Sequence, residues 1–368
     1  MKIVFNEAAL KPQHYKKELI KAFASVIDSG IFLHGSQNAL LLKNLQHYLK
    51  NPFVTLTSSG HSALQSALTS LFLKPTDEVI FPVNSYPTAF PIALSQAKPV
   101  PVDVDQNGLI DPQEVAKKIN RKTRAVVAVH LYGLSADIGT LKKIIAKRNI
   151  VLVEDCAQAF GTKYKERLVG SFGDFSCFSF YPTKNLATLG DGGALCTKKK
   201  KQYGFFQRLI SYGENLQHQS EFVAGHSRLP ELQAAVLNVY LKSIDKEIEL
   251  KKAVCEEYFQ YIKYFKLEPF VRPLFHKKNS SPNLHLFAVE AKKRDKLKEY
   301  LMKKAIETSI HYPLPIHLVP AFSYLKHRRG SFPVAERLSR NILSFPFHSY
   351  ITKNHVRYIM EAVKEFYA

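Results

Sequence analysis

The chain has 368 residues, 46% of them hydrophobic and 23% charged, which is enough apolar content to bury a large core and too much for a disordered chain. Its apolar runs, such as Ala125 to Val129 and Ile150 to Val153, are far shorter than a membrane span, and Met1-Lys2-Ile3-Val4-Phe5-Asn6 lacks a signal peptide's apolar centre, so a cytoplasmic protein is expected. The formal net charge of +21, from 52 basic and 31 acidic residues, is spread along the chain; its one dense run, Lys198 to Lys201, carries no aromatic interleaving, which argues against nucleic-acid binding and for attraction of a small anion.

In chain order, Ser58-Ser59-Gly60-His61-Ser62 reads as a turn into a helix predicted over Ser62–Phe72. From Glu78 the sequence alternates β-rich runs with helical patterns: Glu78–Phe81, Val100–Val104, Ala125–His130, Val151–Glu154, Phe175–Phe180 and Gly193–Cys196, with a helix such as Asp137–Lys147 between strands. That alternation predicts an α/β fold with a mostly parallel central sheet covered by helices on both faces, and ligands beyond the carboxyl ends of the strands. After about Leu241 the texture changes to a long charged helix over Asp245–Phe265, a β-like run Leu284–Glu290, and helices over Lys293–Lys304, Val334–Asn341 and His355–Phe366. A large domain over 1–241 and a smaller C-terminal α/β domain over 242–368 are therefore expected.

Cys156, Cys177, Cys196 and Cys255 have no pairwise spacing suited to zinc, and three of them lie in buried-strand patterns. They read as reduced core residues, with no metal site expected. A catalytic thiol at Cys156, directly after Asp155, is the alternative.

The chemistry concentrates in two segments. Lys184 sits in Phe178-Ser179-Phe180-Tyr181-Pro182-Thr183-Lys184-Asn185, among aromatic neighbours and ahead of the glycines around Asp191. Partial burial lowers a lysine's pKa and lets the amine condense with a carbonyl. Upstream, Ile150 to Asp155 reads as a buried strand delivering a carboxylate at its end. A lysine plus a buried aspartate is the pairing that pyridoxal phosphate needs, the aspartate keeping the pyridine nitrogen protonated. The Ser58–Leu64 turn supplies helix N-terminal N–H groups suited to a phosphate dianion, with Gly60 permitting close approach.

These segments, with His130-Leu131-Tyr132-Gly133 and Ala136-Asp137 before them and His311-Tyr312-Pro313-Leu314-Pro315-Ile316-His317 after, resemble the fold-type I nucleotide-sugar aminotransferases of the DegT/DnrJ/StrS type over about Gly35 to Leu343. The resemblance implies that Lys184 carries pyridoxal 5'-phosphate and moves protons, that Asp155 pairs with the pyridine nitrogen, that Gln158 contacts the ring or its phenolic oxygen, and that Tyr86 stacks on it. Ser179 would join Gly60 and His61 at the phosphate. Two departures are implied as well: the family usually has threonine at His61, and asparagine at His226, where it reaches the neighbouring subunit's phosphate site. Arg228, His311, Tyr312 and His317 match positions that hold the sugar nucleotide, although an ion pair of Arg228 with Glu231 and a merely packed His311–His317 turn are the plainer alternatives. Asp191 in place of glutamate points toward chemistry at sugar carbon 3 rather than 4. The expectation is a homodimer transferring an amino group, with glutamate as donor, to a nucleotide-linked ketosugar. A sugar dehydratase, which would have histidine for Lys184, and a regulatory cofactor-binding protein are the rivals.

Overall fold

The computed structural model describes residues 2–215, 217–275 and 279–368. Its centre is a seven-stranded sheet built from β1 (Phe53–Thr57), β2 (Glu78–Pro82), β3 (Lys98–Val102), β4 (Thr123–Val129), β5 (Val151–Asp155), β8 (Phe175–Ser179) and β9 (Gly193–Thr197), in the order β1-β9-β8-β5-β4-β2-β3. The two-residue strands β6 (Lys163–Tyr164) and β7 (Arg167–Leu168) form a small ribbon with β11 (Ser280–Ser281). A third sheet joins β10 (Val271–Pro273), β12 (Phe287–Ala291) and β13 (Ile342–Phe345), all antiparallel.

Alternate residues of the central strands enter two separate apolar cores. Val79, Phe81, Val127 and Val153 pack into one, and Ile80, Val126, Ala128 and Leu152 into the other. Both faces are therefore covered, which is why these strands read as nearly continuous apolar runs. The β2, β3, β4, β5 and β8 pairings are parallel, as the alternation with helices requires. β9 is antiparallel to both β8 and β1, because the 180–192 connection is too short to carry the chain back over the sheet. That short return also holds Lys184 at the sheet's edge.

Six expected strands form with boundaries shifted by at most two residues, and the long helix forms over Ile244–Tyr264. β1 was not anticipated: its threonines mask the apolar pattern of Val54 and Leu56. The expected division at 241/242 assigns the first residues to the large unit, whereas Ile3 bridges Ile306 and the Glu7 carboxylate accepts from Ser349, so this segment packs with the smaller one. All four cysteines are free and buried. Burial pushes the Cys156 thiol well up, as do the Glu154 and Asp155 charges, which is contrary to what a catalytic thiolate needs. Among the described residues, no helix is long and apolar enough to cross a membrane.

Candidate active site

The carboxyl ends of β2, β4, β5 and β8 open on one edge of the sheet, and the candidate residues collect there. Asp155 ends β5, in register with Val129 of β4 and Cys177 of β8. Its carboxylate accepts hydrogen bonds from the Thr88 hydroxyl at 2.7 Å and from the Ala157 N–H at 3.0 Å, so it is aimed by two donors and nearly buried. Thr88 lies one turn into the helix Tyr86–Ala93, with its hydroxyl within 2.7 Å of that of Ser85. Pro87 at the start of this helix suits the first turn, where a missing N–H costs nothing.

Lys184 stands in the return between β8 and β9. The loop is closed by Phe180 N–H to the Gly192 carbonyl at 2.8 Å and Thr188 N–H to the Phe180 carbonyl at 2.7 Å, and Lys184 N–H reaches the Tyr181 carbonyl at 2.8 Å. Burial pushes the lysine ammonium down to about 8, against the opposing pull of Asp155. A substantial fraction of the amine is thus neutral near physiological pH, the form that attacks a carbonyl.

Four further predicted residues gather around the pair. Gln158 accepts from the Tyr132 N–H at 2.7 Å and approaches the Tyr312 hydroxyl at 3.3 Å. Burial, with the Asp155 charge adding, pushes the Tyr312 phenol up to about 12, so it remains a neutral donor. Tyr86, at the helix start, is half-open to solvent with its ring centroid 6.0 Å from that of Tyr312. His311 bonds Ser344 Oγ at 3.0 Å, and its carbonyl accepts from Tyr132 at 2.8 Å. Burial, with the Lys184 charge, lowers its imidazole to about 4.

At the other end of the return, the helix Gly60–Thr69 begins against Ser179. A Cβ on Gly60 would stand 2.6 Å from the Cβ of Ser179, and one on Gly193 would stand 2.4 Å from the Ser59 carbonyl, so both glycines are required by close approach. Ser59 caps the Ser62 N–H at 3.0 Å and its carbonyl takes the Ala63 N–H, which leaves the first-turn N–H groups of Gly60 and His61 facing outward. The hydroxyls of Ser58 and Ser62 lie 3.1 Å apart, and Ser227 bonds both the backbone N–H and the hydroxyl of Ser58. His61 is exposed at this end, and partial burial shifts its imidazole below the usual range. A glycine-bounded turn, free helix N–H groups and a ring of hydroxyls fit a phosphate monoester; the lysine and buried aspartate fit an aldehyde-bearing pyridine. The donor set matches pyridoxal phosphate.

Three predicted residues lie elsewhere in this chain. His226 is exposed, pairs its backbone with Ser211 and tilts against Tyr212 at 5.2 Å. Its neighbour Ser227 turns into the cradle, and the alternation of an extended segment sends His226 and Arg228 the other way. Arg228 lies 5.6 Å from the Tyr212 ring, and its Nε has no hydrogen-bond partner among the described residues. The alternative pairing with Glu231 does not form, because Glu231 caps the helix Ser36–Leu49 through the N–H groups of Gly35, Gln37 and Asn38 at 2.8–2.9 Å. His317, expected to face a ligand, is buried instead: its Nε2 lies 3.0 Å from Glu336 and its ring packs on Phe332. That pairing ties Nε2 to the helix Pro333–Asn341, while the buried Nδ1 has no partner among the described residues, and the loop reaches the site's rim through Ile316 N–H to the Val83 carbonyl.

His130 is also structural. It lies within 3.0 Å of Glu154, whose carboxylate also accepts from the N–H groups of Gly170, Phe172 and Gly173, while Nδ1 accepts from Ala136 N–H. Burial works against the Glu154 charge, but these partners outweigh it and hold the carboxyl below its usual range. Cys156 lies beside this pair, yet with the lone pairs of His130 and Glu154 already used the cluster is a hydrogen-bonded knot that fixes the ends of β4 and β5. Sequence reasoning missed Thr88, Ser227 and His285; the first two lie in motifs it had singled out, one turn from Tyr86 and one residue from His226.

The profile of the DegT/DnrJ/EryC1/StrS aminotransferase family matches residues 13–364. The chain is 33% identical over 366 residues to dTDP-3-amino-3,4,6-trideoxy-alpha-D-glucose transaminase of Streptomyces venezuelae, covering 99% of this chain and 96% of the relative. It is 29% identical to UDP-2-acetamido-2-deoxy-3-oxo-D-glucuronate aminotransferase of Pseudomonas aeruginosa, covering 98% and 99%. The crystal structure of S. venezuelae DesV in complex with ketimine intermediate superposes with a TM-score of 0.95 at 33% identity, covering 99% of this chain and 98% of that one. With Lys184 and Asp155 set at one strand edge within that shared architecture, the chain belongs to the DegT/DnrJ/EryC1/StrS aminotransferase family.

Proposed function

We propose that this protein is a pyridoxal-phosphate-dependent aminotransferase that moves an amino group from glutamate to the keto group, at carbon 3, of a nucleotide-linked deoxysugar. The observation that carries the reading is the pair of Lys184, with its amine lowered to about 8, and the doubly hydrogen-bonded carboxylate of Asp155 beside it. The cofactor, when bound, supplies the electron sink for breaking a bond at the amine-bearing carbon. Asp155 holds a positive charge at the pyridine nitrogen: two unit charges about 4 Å apart interact by roughly 4 kcal/mol at an effective dielectric of about 20. Gly60, His61 and Ser179 would hold the phosphate, Tyr86 would stack on the ring, and Gln158, tied to Tyr132 and Tyr312, would contact it. Lys184 would carry the proton, taking one from the donor's α-carbon and later returning one to the sugar carbon. His311 and Tyr312 hydrogen-bond the sugar as neutral groups.

Function as a homodimer is supported by the run of exposed apolar side chains within residues 20–40, namely Ile20, Ile27, Ile31, Phe32, Leu33 and Leu40. The outward-facing His226 and the unpartnered Arg228 stand on the arm that would reach a second copy's phosphate and substrate sites. The test is to load the protein with cofactor and add glutamate alone. The visible band of the lysine-bound cofactor should bleach, and borohydride reduction before glutamate should fix the label on Lys184. A band unchanged by glutamate and by other amino acids, or a label on another lysine, would overturn the reading.

A further inference from the structure

A cavity of about 270 Å³ opens next to Thr183, the neighbour of Lys184 in sequence, and is walled by the N-terminal segment, the turn after β8, the entry to β12, the His311 loop and the residues after β13. Its polar wall includes Glu7, Thr183, Lys251, His285, Ser309 and His311, and the charge of Lys184 acts on both histidines. The charges there cancel. Lys251 Nζ lies 3.3 Å from Glu7, both side chains being only 6% exposed, and 3.4 Å from Asn185, the neighbour of Lys184. Behind Glu7, Lys11 is paired with Glu247 at 2.5 Å. Burial alone would raise the Glu7 carboxyl, but Lys251, Lys11 and Ser349 hold it at about 2. These two lysines and two glutamates sum to zero.

The two histidines are neutral. Burial and the charges of Lys184 and Lys251 push His285 well below its usual range, and its ring makes no hydrogen bond to a described residue. His311 is lowered by burial and by the Lys184 charge. Lys184 is the reacting amine and cannot serve as a fixed counter-ion. The rest of the wall is uncharged: Asn6 and Tyr181, with the apolar Phe5, Leu286 and Phe347.

The geometry points to a specificity pocket: the cavity takes the far side of the sugar ring and selects an uncharged ring, with a methyl or hydroxymethyl group at carbon 6, over a uronate. This rests on the sugar-nucleotide reading above. Of the relatives compared, one is named for a trideoxyglucose and another for a glucuronate, so family membership leaves the choice open. A carboxylate placed here would lose its water, find Lys251 already neutralised and face Glu7. A hydroxyl would find His285, Thr183 and Ser309 as partners, and a methyl would pack on Phe5, Leu286 and Phe347.

Calorimetric titration of the cofactor-loaded protein with UDP-glucose and UDP-glucuronate, and with the corresponding dTDP pair, tests this, because each pair differs only at carbon 6. The glucuronate should bind about tenfold or more weakly, the consequence of burying one uncompensated charge. Glu7→Gln unmasks Lys251 and should narrow or reverse the preference. Glu7→Gln combined with Lys251→Met restores neutrality and should restore the preference, and it decides the matter even if the single variant does not fold. Equal binding within a pair, or a double variant that has lost discrimination, would overturn the pocket and leave the aminotransferase reading intact. Binding of none of the four nucleotides would remove the sugar-nucleotide reading, and the pocket with it.

Discussion

Replacing the reactive lysine should make the cofactor-free protein more stable. The Lys184 ammonium falls from 10.5 to about 8, a difference of 10.5 − 8 = 2.5 pKa units. At 1.36 kcal/mol per unit, housing the charged form costs the fold about 3 kcal/mol. Lys184 is partly open to solvent, so the realised penalty is about 1–3 kcal/mol after screening. Below about pH 8 the lysine is charged in both folded and unfolded chains and the whole penalty is present. Between about 8 and 10.5 the folded chain has released its proton and the unfolded chain has not, so stability rises with pH; above 10.5 the penalty is gone. Lys184→Met removes the charge while keeping an unbranched side chain of similar length. Its denaturation midpoint, measured on cofactor-free protein by urea titration, should exceed the parent's at pH 7, and the gap should close between pH 8 and 10.5. Equal midpoints at pH 7, or a gap that ignores pH, would show that burial does not prime this amine.

Asp155→Asn keeps the Thr88 contact but loses the charge, so the fold should persist while turnover falls by roughly 10²–10⁴, the effect of about 3–5 kcal/mol lost mostly in the transition state; steady-state activity within about threefold of the parent would make Asp155 a structural residue. Gly60→Ala would force a Cβ to 2.6 Å from that of Ser179, costing about 1–3 kcal/mol in overpacking and opening the phosphate cradle. Equilibrium dialysis should then show weakened cofactor retention, and unchanged affinity would mean that the cradle lies elsewhere. Lys184→Ala mixed with a variant disabled at His226 and Arg228 should regain up to about a quarter of parental activity, since half of random dimers are mixed and each mixed dimer holds one intact site. No recovery after verified subunit exchange would mean that each chain completes its own site.

The parts of this protein legible in its sequence are those whose physics is local. Alternating burial wrote the central strands as apolar runs, and a carboxylate ending such a run, as Asp155 does, has few structural uses. Gly60 was legible as a backbone that must come close to a phosphate; its packing on Ser179, and that of Gly193 on Ser59, were not. What the sequence hid depends on contacts far along the chain. Thr88 reaches Asp155 across 67 residues, and Lys251 meets Glu7 from the long helix Ile244–Tyr264. His317 was misread for the same reason: a histidine among prolines looks available until Glu336 is seen to hold it. The direction of β9 depended on how short a connection can be, which no residue type encodes.

These hidden contacts share a physical purpose. An amine lowered to about 8 is useful only if nothing nearby draws it back to the charged form or into a permanent ion pair. Among the described residues, Asp155 is the one carboxylate that pulls on Lys184, and two neutral donors, Thr88 and Ala157, share that carboxylate's charge. Glu7, the carboxylate on the wall of the adjoining cavity, is occupied by Lys251 and Ser349, and Glu154 by His130 and three backbone N–H groups. The excess charge of +21 therefore belongs to the surface, where it raises the local concentration of a nucleotide diphosphate, while the interior around the reacting amine is balanced group by group. Long-range attraction and local neutrality do separate work: the first brings an anionic substrate to the edge of the sheet, and the second leaves Lys184 free to lose and regain its proton once the substrate is there.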